Sequence, residues 1–281
     1  PSNSYNNFTA DRWSAYFAGT YSQQQTTLPN GDYVNYFRGV LGTTSANRIN
    51  INHFIENGNS IMSGKYVTVS FWLACDRPGS DVNVKLQTTS GTNFSSYTQI
   101  ANKYIKTEQD WKKYEITFHC LDDKGNIGSR PHGLLELDGS DAQWPNGSTF
   151  EIAQVQIEIG KVATPFEHRS YGEELELCKR YFQNVYNGQC FGSANTTTRM
   201  RINAPLSPTM RDNPTIARVA GSISFQGMGV GFASTSTTVA QGSPSGPDFL
   251  GFDLGGFSGL TSRAYAGSQS RTLVFTASAE L

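Results

Sequence analysis

Alternation of apolar and polar residues over short stretches is the feature that most constrains the fold of this chain. From Lys65 to Cys75 every second residue is apolar, and the apolar set is Val67, Val69, Phe71 and Leu73. A strand points successive side chains to opposite faces, so this stretch predicts a strand with one buried face. The pattern recurs at 81–87, 111–120 and 148–160, with turn residues between. Strands at this spacing indicate a β-sandwich.

The last of these strands contains a break in the alternation. From Ala153 onward the apolar residues occupy odd positions, and they are Ala153, Val155, Ile157 and Ile159. Before them, Phe150 and Ile152 occupy even positions, which face the opposite side of a regular strand. One inserted residue shifts the parity of a strand. We therefore expect a β-bulge near Ile152, with the inward-facing set beginning at Ala153.

Residues 164–183 interrupt the strand pattern and contain the signals of a helix. Ser170 is followed three residues later by Glu173, which is the spacing of a capping box. Acidic residues crowd the start of this stretch, and Lys179 and Arg180 lie near its end, as the helix dipole favours. We predict one short helix, from about 171 to 180, that connects two β regions.

Strand patterns return from residue 181, and the candidate strands are 181–186, 198–202, 215–219, 222–226 and 273–279. The glycine-rich stretch 226–260 is predicted to be loop or irregular strand. The fold class is therefore all-β: a jelly-roll β-sandwich at 1–165, a connector with a short helix at 166–182, and a second β-sandwich-like domain at 183–281.

An uncharged stretch in the second domain indicates an interface between chains. No charged residue occurs between Val219 and Pro247. Monomers seldom expose an apolar, uncharged β surface of this kind. The predicted oligomer interface consists of Ile223, Phe225, Met228, Val230 and Phe232. The alternative is that these side chains fold inward within one chain.

The net charge of the chain and the length of its apolar runs indicate which classes of partner it lacks. The formal net charge is −1, so the chain lacks the basic footprint of a nucleic-acid-binding protein or a polybasic membrane patch. It also lacks a run of about 18 apolar residues, the length that spans a bilayer. We predict no nucleic-acid partner and no membrane insertion.

The sequence contains no recognisable catalytic or metal-binding motif. There is no Gly-x-Ser-x-Gly elbow and no phosphate-binding glycine loop, and His53, His119, His132 and His168 are far apart. The four cysteines, which lack a CxxC spacing, are predicted to be buried free thiols. Asp138 and Asp141 fit either a plain turn, which we favour, or a calcium site. We predict no enzymatic activity and no other cofactor.

One strand face is the best candidate for a binding site. Trp72 lies on the non-core parity of its strand with Thr68 and Ser70, and the closing strand presents Gln154, Gln156 and Glu158 outward. An aromatic ring among amides and hydroxyls can bind a sugar. Trp144, in a loop, is the seventh candidate. The alternatives, which we favour for both side chains, are that Trp72 packs under a loop or against a neighbouring chain, and that Trp144 covers an open end of the sandwich.

Two adjoining segments carry a resemblance to a known group of proteins. Ile152–Gly160 followed by Ala163–Phe182 resembles a junction in tail-fibre and appendage proteins of tailed bacteriophages. Three shorter features fit the same group: Asp11-Arg-Trp13, Met210-Arg-Asp-Asn-Pro-Thr215 and the terminal Ala277-Ser-Ala-Glu-Leu281. The first domain resembles the carbohydrate-binding-module jelly-rolls found in such proteins.

This resemblance implies a virion component, in the phage tail or another external appendage, that is assembled in the host cytoplasm. Its implied partners are two further copies of itself in a homotrimer, other tail or baseplate proteins, and a bacterial surface glycan. The preferred function is a tail fibre that binds the glycan without cleaving it. The alternatives are a purely structural head or collar fibre and, less favoured, a glycan-degrading tailspike.

Overall fold

The computed structural model divides the chain into two units, Pro1–His168 and Arg169–Glu280. Each unit has its own apolar core. The residues that the structure describes are 8–10, 13–16, 19–42, 49–90, 96–139, 144–219, 223–227, 230–234, 239–240, 246–257, 260, 265–267 and 273–279.

Unit 1 is a sandwich of two antiparallel sheets. Its described strands are β1 (Phe8–Ala10), β2 (Trp13–Tyr16), β3 (Gly19–Thr27), β4 (Tyr33–Leu41), β5 (Asn50–Ile55), β6 (Tyr66–Cys75), β7 (Asp81–Thr89), β8 (Tyr97–Lys106), β9 (Lys112–His119), β10 (His132–Asp138) and β11 (Thr149–Ile159). A six-stranded sheet has the order β1-β2-β5-β10-β7-β8, and a five-stranded sheet has the order β3-β4-β11-β6-β9. Helix α1 (Gly58–Met62) follows β5, and a 3-10 turn occupies Lys124–Asn126.

The core of unit 1 lies between the two sheets, where the sequence pattern predicts it. All four apolar residues of the β6 alternation are fully buried. They share one cluster with Leu86 of β7 and Leu137 of β10. Because each strand contributes alternate side chains to this cluster, the other parity of each strand is left for the outer faces of the sheets. The all-β prediction is confirmed.

The β-bulge in β11 lies two residues beyond the expected position. The pairing of β11 with β6 shifts between Ala153 and Gln156, and Gln154 has a φ of +48°. Phe150 and Ile152 belong to the core, and Val155 and Ile157 pack against it. The expectation that Ala153 faces inward is wrong, because the inserted residue follows Ala153 rather than precedes it.

Unit 2 begins with helix α2 (Tyr171–Lys179), which confirms the predicted helix. The Glu173 backbone N–H donates to Ser170 Oγ at 3.3 Å, and the Ser170 N–H donates to the Glu173 carboxylate at 2.9 Å. The Ser170 N–H, and after it the Ser170 hydroxyl, donate to the Glu173 carboxylate and hold its pKa below the ordinary value. The reciprocal bonds between the two residues form the capping box. They satisfy two of the backbone donors that a helix start leaves unpaired. Neither helix in the described part of the chain has the length and apolar composition to span a bilayer.

The rest of unit 2 is β structure. Its described strands are β12 (Phe182–Tyr186), β13 (Phe191–Ala194), β14 (Arg199–Pro205), β15 (Thr215–Arg218), β16 (Ile223–Gly227), β17 (Val230–Ser234), β18 (Val239–Ala240), β19 (Phe249–Gly255), β20 (Tyr265–Gly267) and β21 (Leu273–Ser278). A 3-10 turn lies at Asn187–Gln189. The sheet orders are β12-β21-β15 and β17-β16-β20-β13-β14-β19-β18.

The glycine-rich stretch contains a core strand that the sequence analysis did not identify. Leu250, Phe252 and Leu254 of β19 are fully buried and belong to the core of unit 2. Strand β19 pairs antiparallel with β14 over the whole length of both strands. Strands β16 and β17 also form an antiparallel pair, in which Phe225 lies opposite Phe232. The predicted oligomer interface cannot be compared with the structure, because its side chains lie outside the described part of the chain. This applies to the whole of Met228 and to the side chains of Ile223, Phe225, Val230 and Phe232.

Candidate functional site

The predicted site residues of β6 and β11 lie on neighbouring strands, on the outer face of the five-stranded sheet. Ser70 is the pairing partner of Gln156, and Thr68 is the partner of Glu158. Trp72 pairs with Ala153 on one side and with Lys113 of β9 on the other. The sheet therefore brings together six of the seven candidate side chains.

A segment of the chain itself covers part of this face. After β11 ends, residues 160–168 return across the sheet, and the predicted site residues hold them there. Thr68 Oγ1 donates to the Gly160 carbonyl at 2.9 Å. Gln156 accepts from the Glu167 N–H at 2.8 Å and donates to Thr164 Oγ1 at 3.1 Å. Residues 160–168, called the strap below, thus use polar groups that the sequence analysis assigned to a ligand.

Glu158 also holds the strap. Its carboxylate accepts from the Thr164 hydroxyl at 2.5 Å and from the Thr164 N–H at 3.0 Å. The hydrogen bond from the Thr164 side chain is the main reason that the pKa of Glu158 lies below its ordinary value. Thr68, Gln156 and Glu158 therefore support the site instead of lining it.

Trp72 is much less accessible than a stacking platform needs to be. Only 8% of the residue is exposed. It packs in a small cluster on the outer face with Leu28, Val34 and Ala153, against partly buried Tyr36 and Trp111. Leu28 comes from the turn between β3 and β4, which folds over the sheet. The alternative raised from the sequence, that Trp72 packs under a loop, describes its surroundings.

Beside Trp72, the face opens into a cleft with a volume of about 510 Å³. Three predicted residues line it: Ser70, Trp72 and Gln154. The other lining residues come from three elements, namely the β3–β4 turn, β9 and the strap, and they are Asn30, Asp32, Lys113, Ala163, Thr164, Pro165, Phe166 and His168. Ligand pockets in proteins commonly have volumes of roughly 300–1,000 Å³, so this cleft is large enough for a sugar unit.

The bulge gives the cleft its best-defined polar contact. At Gln154 the backbone adopts the left-handed conformation, which is unfavourable for a residue with a side chain, and the Gln154 amide donates to Asp32 Oδ2 at 2.9 Å. Asn30 donates to the same oxygen at 2.8 Å. These two bonds hold the pKa of Asp32 below its ordinary value, so the group is a carboxylate at neutral pH. Strained backbone of this kind concentrates at functional sites.

Trp144 does not line the cleft. It is fully buried in the main core. Its indole N–H donates to the Gly139 carbonyl at 2.5 Å, and its ring meets Phe150 edge-on with centroids 6.3 Å apart. Trp144 is therefore a core side chain of unit 1, which agrees with a packing role and not with a contact to a ligand in the cleft.

A polar array that the sequence pattern does not reveal lies on the outer face of the six-stranded sheet. Glu136 of β10 accepts from Gln87 at 2.6 Å and from Asn50, and Lys85 lies 2.5 Å from Asp138. Three oxygens here have no hydrogen-bond partner among the described residues: Ser14 Oγ, Asn50 Oδ1 and Asn52 Oδ1. Unsatisfied acceptors would suit a ligand hydroxyl. However, Ser14 and both asparagines are 1% exposed, so the array is an interior network in this structure.

The described cysteines and acidic residues form neither a reactive thiol nor a metal-ligand group. Cys75, Cys120 and Cys190 are free and buried, and burial raises the pKa of the first two to about 11 and of the third to about 12. Such thiols are protonated at neutral pH and poorly reactive. In the described ranges no three His, Cys, Asp or Glu side chains are grouped as metal ligands. Asp138 is paired with Lys85, and Asp141 lies outside the described residues, so the calcium prediction stays untested.

Comparisons with known proteins give weak matches to this chain. No protein-family model matches it. Half of the chain, 140 residues, is 22% identical to a probable zinc metalloprotease of Phaeosphaeria nodorum, and the match spans about a quarter (26%) of that protein.

Several solved structures resemble part of the chain. A CBM4 module has 18% identity and a TM-score of 0.36, covering 53% of this chain and 88% of the module. The enzymatically active domain of tailspike protein 4 from bacteriophage CBA120 has 12% identity and a TM-score of 0.36, covering 56% and 20%. The CBM22-1 xylan-binding domain from Paenibacillus barcinonensis has 14% identity and a TM-score of 0.33, covering 57% and 94%. At these identities and TM-scores, the matches assign no function.

Proposed function

We propose that unit 1 binds a glycan in the cleft of the five-stranded sheet and does not cleave it. The observation that carries this proposal is the composition of the cleft, in which Gln154, Asn30 and Ser70 present polar groups beside an apolar wall. Sugars combine hydroxyl groups with apolar C–H surfaces, so they fit a lining of this kind.

The position of Gln154 supports a binding role over a merely structural one. Its left-handed backbone costs on the order of 1–3 kcal/mol relative to an ordinary strand residue. A glycine at this position would adopt the same conformation without that cost. The chain instead carries an amide here, and that amide lies in the lining of the cleft.

Gln154→Gly tests this role, because it keeps the bulge and removes the amide side chain together with its hydrogen bond to Asp32. We expect the full-length variant to fold normally and to bind its glycan about tenfold more weakly, the effect of losing one hydrogen bond worth about 1.4 kcal/mol. Ligands are found on a glycan array, and affinities are measured by titration calorimetry.

Gln23→Ala is the matched control, since Gln23 is an exposed strand glutamine outside the cleft lining. It should bind like the unchanged protein. Equal binding by Gln154→Gly and the unchanged protein would show that the cleft is not the binding site. A second variant, Tyr104→Ala, changes an exposed side chain of the six-stranded sheet. If that variant reduces binding, the glycan binds to the six-stranded sheet and not to the cleft.

At the level of the whole chain, we propose a fibre component of a phage particle that works as a homotrimer. The support is the junction motif of residues 152–182 and the uncharged stretch between Val219 and Pro247. Other tail or baseplate proteins would hold it on the virion. The competing function is that of a purely structural head or collar fibre. In that case the protein should bind no glycan on the array.

The homotrimer can be tested by the mass of the full-length chain. Light scattering at micromolar concentration should give three times the chain mass of 30.8 kDa. Phe225→Asp should dissociate the trimer or prevent its formation, because a carboxylate would have to be buried in the proposed interface. A monodisperse monomer of the unchanged protein would overturn the homotrimer.

Glycan cleavage is the third candidate, and reducing-sugar release distinguishes it from binding. We expect no release when the protein is incubated with any glycan that it binds. Measurable release would replace the binding function with that of a glycan-degrading tailspike.

A further inference from the structure

The charged groups that line the cleft already have partners within the protein. The Asp32 carboxylate accepts from Gln154 and Asn30, and His168 Nε2 lies 3.9 Å from it. The Lys113 ammonium lies 2.7 Å from the Glu115 carboxylate. Lys113 is thus neutralised by Glu115, and the Asp32 carboxylate is satisfied by hydrogen bonds from two neutral amides. A ligand does not have to supply a charged group to satisfy the lining, and the Asp32 carboxylate would repel an acidic one, so the cleft suits a neutral ligand.

The strap gives the cleft an apolar wall. Ala163, Pro165 and Phe166 all contribute to the lining. The bonds of Gln156 and Glu158 to Thr164 and Glu167 fix these residues in place on the sheet. Phe166 also meets His168 edge-on, with ring centroids 5.1 Å apart. A wall that is held before the ligand arrives loses little conformational freedom on binding.

The apolar group that this wall accepts should be small. A pyranose ring usually needs an open aromatic face, but Trp72 is only 8% exposed beneath its cluster. Phe166 is half-buried and shares its ring contact with His168. The described lining therefore offers apolar surface in small pieces, next to amide and hydroxyl groups from Asn30, Ser70 and Gln154.

An acylamino substituent matches this combination. It has a methyl group for an apolar wall, a carbonyl oxygen that accepts hydrogen bonds and an N–H that donates one. It is uncharged, which suits a lining whose charged groups already have hydrogen-bond or ion-pair partners. A sugar hydroxyl in the same position has the hydrogen-bonding capacity but lacks the apolar group. We propose that the cleft selects a glycan containing an N-acylated amino sugar, an inference that rests on the proposed glycan binding.

The test compares sugars that differ in one substituent. Methyl glycosides of glucose, galactose and mannose are each paired with the matching 2-acetamido sugar, and binding to the full-length protein is measured by ligand-observed NMR titration. We expect at least one acetamido sugar to bind about tenfold or more tightly than its hydroxyl partner. Its acetyl methyl protons should receive the strongest saturation transfer from the protein.

Variants of the wall complete the test. Phe166→Ala should remove most of the preference for the acetamido member of the pair, whereas Tyr33→Ala, which changes an exposed aromatic outside the lining, should retain it. Equal affinities within every pair, or a preference that survives Phe166→Ala, would overturn the inference and leave glycan binding standing. If neither these sugars nor any glycan on the array binds, the proposed function itself fails.

Discussion

Trp144→Ala is expected to lower the free energy of unfolding of unit 1 by about 3–5 kcal/mol, the usual cost of deleting a fully buried large aromatic side chain. Trp144 has no exposed surface and packs edge-on against Phe150. The substitution also leaves the Gly139 carbonyl without the indole N–H that it accepts from. A buried unsatisfied carbonyl adds to the cost of the cavity.

Urea unfolding followed by far-ultraviolet circular dichroism measures this loss, because that signal does not depend on the tryptophan removed. Tyr33→Ala is the control, since Tyr33 is 68% exposed and its loss should change the unfolding free energy by less than about 0.5 kcal/mol. If Trp144→Ala unfolded at the same urea concentration as the control, Trp144 could not be a core residue, and its role as a ligand contact would have to be reconsidered.

Four strands of unit 1, namely β6, β7, β9 and β11, could be predicted because the alternation of apolar and polar residues within each of them follows burial. The apolar parity of β6 faces a core that covers it completely, so each of Val67, Val69, Phe71 and Leu73 is buried. The helix α2 could be predicted because its signals are local: the capping box involves only Ser170 and Glu173. In both cases the physical cause lies within the stretch of sequence that was analysed.

The bulge in β11 shows where such reasoning fails. The sequence contains the parity change but does not specify which residue is inserted, because Ala153 is small enough to fit on either face. Its position is decided by pairing with β6, where Ala153 lies opposite Trp72. That pairing is a tertiary property. The consequence is functional, since Gln154 rather than Ile152 takes the left-handed conformation and lines the cleft.

The polar residues of the outer face lie together on one sheet, as predicted, but part of them contact the strap rather than the cleft. Amides and carboxylates such as Gln156 and Glu158 bind a strap of the same chain with the groups that would otherwise bind a sugar. Composition cannot distinguish these two uses, because the hydrogen bonds are chemically alike. The same limit hid the array around Glu136, whose polar strand residues resemble a solvated face but are buried.

Trp72 shows that a side chain can point away from the main core and still be buried. Its position on β6 allows a ring that is open to a ligand and dispensable for folding, while packing under a loop or against a neighbouring chain is the favoured alternative. The ring is enclosed by Leu28, Val34 and Ala153. Its indole N–H is buried and makes no hydrogen bond with the described residues. The outer face of the sheet thus has a small core of its own, which the main alternation does not reveal.

Trp72→Ala should therefore lower the free energy of unfolding by about 3 kcal/mol, the lower end of the range for a large buried aromatic, because a satellite cluster can partly collapse around the cavity. Trp72→Phe should cost less, since it keeps most of the apolar volume and removes an unsatisfied N–H. Urea unfolding of both variants measures these changes, and glycan titration of the same preparations measures binding. If Trp72→Ala keeps the unfolding midpoint of the unchanged protein while its glycan affinity falls tenfold, Trp72 is a ligand platform after all. If stability falls and Trp72→Phe restores both stability and binding, the ring acts by supporting Gln154 and the β3–β4 turn, and the contacts to the glycan come from the polar lining of the cleft.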